Sequence, residues 1–89
     1  MRAVRVSVGG RVQGVYYRAS ALSEGRRLGL AGWVKNESDG TVSLHLQGDP
    51  FAVEAMLVWC RTGPPGARVG RVDVSDTPPD QVLSSFEVR

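Results

Sequence analysis

The apolar residues of this 89-residue chain change period along its length, and the order of those changes admits few folds. Ala3 to Val8 alternates, with Val4, Val6 and Val8 on one face and Arg5 and Ser7 on the other, as a half-buried strand does. From about Arg18 to Leu28 the spacing becomes helical, with Ala21, Leu22, Gly25 and Leu28 on one side. Gly25 lies inside that helix, where glycine costs about 1 kcal/mol against alanine. Leu30 to Asn36 reads as a strand, Glu37 to Gly40 as a turn signalled by Asp39-Gly40, and Thr41 to Gln47 as the returning strand. Asp49-Pro50 then opens a second helix, with Asp49 as cap and Pro50 at the first helical position. Its stripe is Val53, Met56, Leu57 and Cys60, and Gly63-Pro64-Pro65-Gly66 ends it. Val69, Val72 and Val74 mark a further strand whose phase slips near Gly70, as at a bulge. Asp76 to Asp80 is a surface loop, and Leu83, Phe86 and Val88 form a short closing strand.

The resulting order, β-α-β-β-α-β with a small extra strand, predicts an α+β ferredoxin-like βαββαβ sandwich. Two helices cover one face of an antiparallel sheet, and the short extra strand is C-terminal. Residues 1–89 read as one domain, since a chain of this length supports a single compact core. Hydrophobic residues make up 42%, enough to pack that core. One cysteine, Cys60, permits no internal disulfide, which fits a reducing compartment. Cys60 and His45 alone do not complete a zinc shell. The first residues already alternate as a strand, and no apolar run approaches the roughly 20 residues of a membrane span. The expectation is therefore a cytoplasmic protein without a membrane partner. A net charge of +2 favours small anions mildly and gives no reason to expect nucleic acid.

Because this fold hosts many functions, the site must carry the assignment. Gly10-Arg11-Val12-Gln13-Gly14-Val15-Tyr16-Tyr17-Arg18 joins a strand end to a helix start. Backbone N–H groups there lack helical partners and can converge on an anion, with the helix dipole behind them. Arg18 adds a planar two-pronged donor suited to phosphate oxygens. The same residues would also serve as a tight structural loop with a surface arginine. Asn36, the single asparagine, ends the second strand. Asparagine is a common turn residue, yet this hairpin already has Asp39-Gly40 for that purpose.

The run from Gly10 to Arg18 resembles the acylphosphatase signature G-R-V-Q-G-V-x-F-R. Gly29-Leu30-Ala31-Gly32-Trp33-Val34-Lys35-Asn36 resembles the second signature of that family, G-x-x-G-W-V-x-N, and Asp39-Gly40-Thr41-Val42 follows as D-G-x-V. The likeness continues through Gln47-Gly48, Trp59, Gly63-Pro64-Pro65 and Phe86, nearly the whole chain. It departs at Tyr17, where the family usually has phenylalanine; a buried hydroxyl there needs a partner.

The resemblance implies hydrolysis of acyl phosphates to a carboxylate and inorganic phosphate, without metal or cofactor. Arg18 and the backbone of Gln13, Gly14, Val15, Tyr16, Tyr17 and Arg18 would bind the phosphoryl group. Asn36 would position the attacking water, with Arg18 and Asn36 as the catalytic pair. A domain of this family also stands at the front of larger carbamoyl-transfer proteins; here the sequence ends at Arg89, so a free-standing enzyme is the expectation, and a monomer is expected. The alternative is a non-catalytic anion-binding module, for which a water-aligning amide is unnecessary. An RNA-binding domain of the same fold would carry an aromatic run that this chain lacks. His45, on the outward phase of its strand, reads as a surface residue, and Cys60, Trp33 and Trp59 as packing residues. Arg26-Arg27 reads as a solvated helix face, and Glu24 and Glu54 as isolated carboxylates.

Overall fold

The computed structural model describes all 89 residues. Its elements are β1 (Arg2–Arg11), α1 (Tyr17–Arg27), β2 (Ala31–Asn36), β3 (Val42–Gly48), α2 (Pro50–Thr62), β4 (Arg68–Asp76) and β5 (Phe86–Val88). The sheet order is β4-β1-β3-β2-β5. This is the ferredoxin-like α+β sandwich expected from the alternation. No helix is long and apolar enough to cross a membrane.

The alternating valines and leucines do what their period requires. Val4, Val6 and Val8 of β1, Val34 of β2 and Val42, Leu44 and Leu46 of β3 form one buried cluster. Tyr17 and Ala21 of α1 complete it with Val53, Met56, Leu57 and Cys60 of α2. Asp49 caps α2 as its sequence demands: its carboxylate accepts from the Phe51 N–H at 2.8 Å, with Pro50 next to it. At Gly25 a side chain would meet the Phe86 ring at 2.7–2.9 Å. The helix-propensity cost of that glycine is thus offset by the close approach of α1 to β5.

Two expectations about the sheet need correction. It is mixed, not antiparallel: β5 pairs with β2 in parallel, Gly32 opposite Phe86. The route of the chain explains this. The end of β4 lies on the far edge, beside the start of β1, where the Thr77 N–H reaches the Ala3 carbonyl. The segment then passes the end of β3, where the Gln47 amide exchanges two bonds with the Asp80 backbone (2.9 and 2.8 Å). It arrives where β2 begins, so β5 must run the same way as β2. Leu83 lies in this crossing segment and not in the strand.

The second correction concerns His45. It is on the face away from the helices, as its phase requires, but it is only 2% exposed. Trp33 stacks on it with ring centroids 6.2 Å apart. Arg5 Nε donates to Nδ1 at 3.1 Å, and a guanidinium cannot accept, so the ring proton sits on Nε2 facing Gln47 Oε1 at 2.7 Å. His45 is a satisfied structural residue beneath Arg5 and Trp33.

The bulge is where the phase slip put it. Gly9 opposes Arg71 and Gly10 opposes Val69, which leaves Gly70 as the extra residue. Gly10 has φ 121°, and a side chain there would overlap the Arg68 carbonyl. The bend at Gly10 turns the end of β1 toward the start of α1.

Tyr17 resolves the question raised by its hydroxyl, which donates to the Cys60 carbonyl at 2.9 Å and ties α1 to α2. Burial raises the phenol well above its usual range, with the neighbouring Cys60 adding to the shift. Burial also pushes the Cys60 thiol up from 9.0 to about 11, against weaker pulls from the Tyr17 hydrogen bond and Arg61. Both groups let go of a proton more readily in the unfolded chain. Their contribution to stability is therefore full below about pH 9 and falls as pH rises from 9.0 toward 11, on the order of 1 kcal/mol per pH unit from Cys60 alone. The urea midpoint measured between pH 8 and 11 checks this; a flat midpoint would contradict it.

Candidate active site

The ends of β1 and β2 and the start of α1 meet at one end of the sheet. Between β1 and α1 the backbone is left-handed at Gly14 (φ 74°) and again at Tyr16 (φ 65°). Alternation of this kind turns successive N–H groups to one side, the geometry of an anion nest. For a residue as bulky as Tyr16 a positive φ is a strained conformation, of order 1–3 kcal/mol. No side chain caps α1. From Gln13 through Ala19 no backbone N–H donates to another protein atom; the first that does is Ser20, to the Tyr16 carbonyl at 3.0 Å. A short polar linker would satisfy these groups with a capping residue. Here they are left free at the positive end of a helix with no acid in its first turn.

Gly14, Tyr16, Tyr17, Arg18 and Asn36 line one cleft of about 360 Å³, floored by the buried Val12 and bordered by Ala19. Sequence reasoning singled out the first five; Val12 and Ala19 it missed, because neither residue type carries a chemical signal. Gln13 and Val15 do not line the cleft. Val15 packs its side chain against the core, and the Gln13 side chain points across to the β2–β3 turn. Their N–H groups nevertheless belong to the unpartnered run.

Arg18 sits in the first turn of α1. One guanidinium nitrogen makes a long contact, 3.4 Å, with the main-chain oxygen of Arg89, and the remaining donors are free for a ligand. Asn36 is the last residue of β2 and opposes Val42 of β3. The turn beyond it is well held. Asp39 accepts from the Thr41 hydroxyl at 2.7 Å and from its N–H at 3.0 Å. These bonds, the hydroxyl's first, hold the Asp39 carboxyl below its ordinary range. Glu37 N–H reaches the Thr41 carbonyl at 2.9 Å.

The cleft thus presents a cation, a run of N–H donors and one neutral amide, and no carboxylate lines it. It suits a terminal phosphoryl group with a water beside it. No group of three or more His, Cys, Asp or Glu side chains is placed to hold a metal ion. A second depression, about 260 Å³ on the opposite sheet face, has Glu37 and Asp73 in its wall beside Arg5, which makes it a poor anion site.

Comparison with known proteins places the chain in a family. The family model described as Acylphosphatase matches residues 4–88. An acylphosphatase of Nocardioides sp. is 58% identical over 87 residues, which are 98% of this chain and 87% of that protein. The crystal structure of acylphosphatase from Bacillus subtilis superimposes with a TM-score of 0.95 at 31% identity, covering 100% of this chain and 99% of that one. The structure of an acylphosphatase from Coxiella burnetii gives a TM-score of 0.94 at 36% identity, covering 99% and 92%.

Proposed function

The chain belongs to the acylphosphatase family, and we propose that Arg18 clamps the phosphoryl group of its substrate while Asn36 aims the attacking water. The protein hydrolyses acyl phosphates, which are carboxyl–phosphate anhydrides, to a carboxylate and inorganic phosphate. The observation that carries the residue roles is the shared cleft. Arg18, Asn36 and the unpartnered N–H groups at the start of α1 border one space without a competing acid.

The chemistry asks little else of the protein. The leaving group is a carboxylate whose acid has a pKa near 4, so it departs with the bonding electron pair and needs no general acid. The transition state is loose, and stabilisation of the phosphoryl oxygens with alignment of the nucleophile supplies most of the catalysis. The Gln13–Arg18 N–H groups and the Arg18 guanidinium hold those oxygens. The Asn36 side-chain oxygen accepts a hydrogen bond from water and directs it in line at phosphorus. As the new P–O bond forms, a non-bridging phosphate oxygen of the substrate takes the water's proton. The arrangement requires no histidine base, and His45 is sealed on the other side of the sheet.

The same reading takes residues 1–89 as one domain, a cytoplasmic monomer with no cofactor and no nucleic-acid or membrane partner. The modest net charge and single buried cysteine support it. The test is hydrolysis of benzoyl phosphate and acetyl phosphate by chelator-treated protein. Turnover is expected to be undiminished by the chelator. A folded protein that binds phosphate but leaves both substrates intact would be an anion-binding module instead.

A further inference from the structure

We propose that the Gln13 side chain is a positioning residue, a cross-link that sets the distance between the phosphate cradle and Asn36. The inference rests on the water-aiming role of Asn36. Gln13 lies in the cradle loop, and its side-chain nitrogen has two hydrogens to give. Both are used on one short stretch of chain: the Glu37 carbonyl at 2.7 Å and the Thr41 carbonyl at 2.9 Å. Those carbonyls flank the turn that begins directly after Asn36.

The turn does not need these bonds for its own sake. The Glu37 carbonyl already accepts from the Gly40 N–H at 3.2 Å, and the Thr41 carbonyl from the Glu37 N–H at 2.9 Å. Gln13 adds a second bond to each, so neither carbonyl would be orphaned without it. What it adds is a tie between two segments that otherwise lack one. The pairing of β1 with β3 stops at Val8 and Val42, and beyond it β1 pairs only with β4. No other hydrogen bond joins residues 12–16 to residues 37–41. The cradle and Asn36 therefore sit on opposite banks of a cleft bridged by one amide. In a reaction that depends on in-line approach, an error of about 1 Å in that spacing costs on the order of a hundredfold.

The test is a cycle of Gln13→Met and Asn36→Ala, read by kcat for benzoyl phosphate and by inhibition with inorganic phosphate. Methionine keeps the length of the side chain and removes both donors. Gln13→Met is expected to lower kcat by about tenfold to a hundredfold, in line with an ångström-scale misplacement. The inhibition constant of phosphate should stay within about threefold, because the cradle itself is intact. In the Asn36→Ala background the same substitution should cost nothing further, since the residue it positions is gone. A second variant, Gln13→Glu, places a carboxylate against two carbonyls at neutral pH and should lose kcat likewise. Its activity relative to the parent should recover as the pH falls and the carboxyl regains a hydrogen to donate.

Equal losses in both backgrounds, a parallel weakening of phosphate inhibition, or two variants that fail to fold would each overturn the proposal in favour of a plain structural brace. Full turnover by Asn36→Ala alone would instead remove the role of Asn36 on which it rests, a result separable from the others.

Discussion

Replacing Arg18 with alanine is expected to lower kcat/KM for benzoyl phosphate by about 10³–10⁵, the range over which clamping arginines act in phosphoryl transfer. That corresponds to about 4–7 kcal/mol of lost transition-state stabilisation. No other cation lines the cleft, so nothing in place can substitute. The backbone donors would remain, but they are dipoles and do not carry the full charge that a guanidinium brings. Inorganic phosphate should inhibit the variant far more weakly than the parent. Folding should be almost untouched, because the guanidinium makes only a long contact with the main-chain oxygen of Arg89. Its removal is worth no more than about 0.5 kcal/mol of stability. Side-by-side urea unfolding and steady-state kinetics decide the matter. A variant that keeps a tenth of the parent's efficiency would remove Arg18 from the clamp.

Asn36→Ala separates binding from chemistry. Its side chain is neutral, ends β2, and faces the same cleft as the cradle. If it orients water and does not grip the phosphoryl group, phosphate inhibition should stay within a few-fold of the parent. The loss in kcat should be about 10²–10³, as for removal of one preorganised hydrogen-bonding group at a reacting centre. Asn36→Asp provides the contrast. It keeps an acceptor for the water but brings a negative charge beside the substrate, so phosphate inhibition should weaken as well. Measurement of kcat and of the phosphate inhibition constant on both variants checks the assignment. A parallel fall of binding and turnover in Asn36→Ala would make Asn36 a phosphate ligand.

The residues that were legible in sequence are those whose signal is local. The α2 stripe of Val53, Met56, Leu57 and Cys60 is set by helical spacing, and all four are buried. Asp49, Pro50 and the bulge at Gly70 follow from backbone chemistry alone. The cradle was legible because a strand-to-helix junction leaves N–H groups free wherever no capping residue follows. His45 was misread because alternation reveals which face a residue is on and not what lies over that face. Its cover comes from Arg5, Trp33 and Gln47, and Gln47 in turn is held by the segment crossing from β4 to β5. The direction of β5 depends on the same crossing, and three residues are too few to carry a period of their own. The Gln13 bridge spans 24 and 28 residues of sequence, and glutamine has no positional preference that would point to it.

The uncapped start of α1 has a consequence for the protein's energetics. A side-chain cap at a helix entry is worth about 1 kcal/mol, and α1 does without one. On the proposed role of the cradle, a phosphate bound there would take that place, so that helix cap and ligand would be one object. Occupancy and conformational integrity are then thermodynamically linked. The proposed role thus predicts a molecule held least firmly when vacant and most firmly while it works, with a released product that takes part of its own scaffold with it; a urea midpoint that rises with added phosphate checks this.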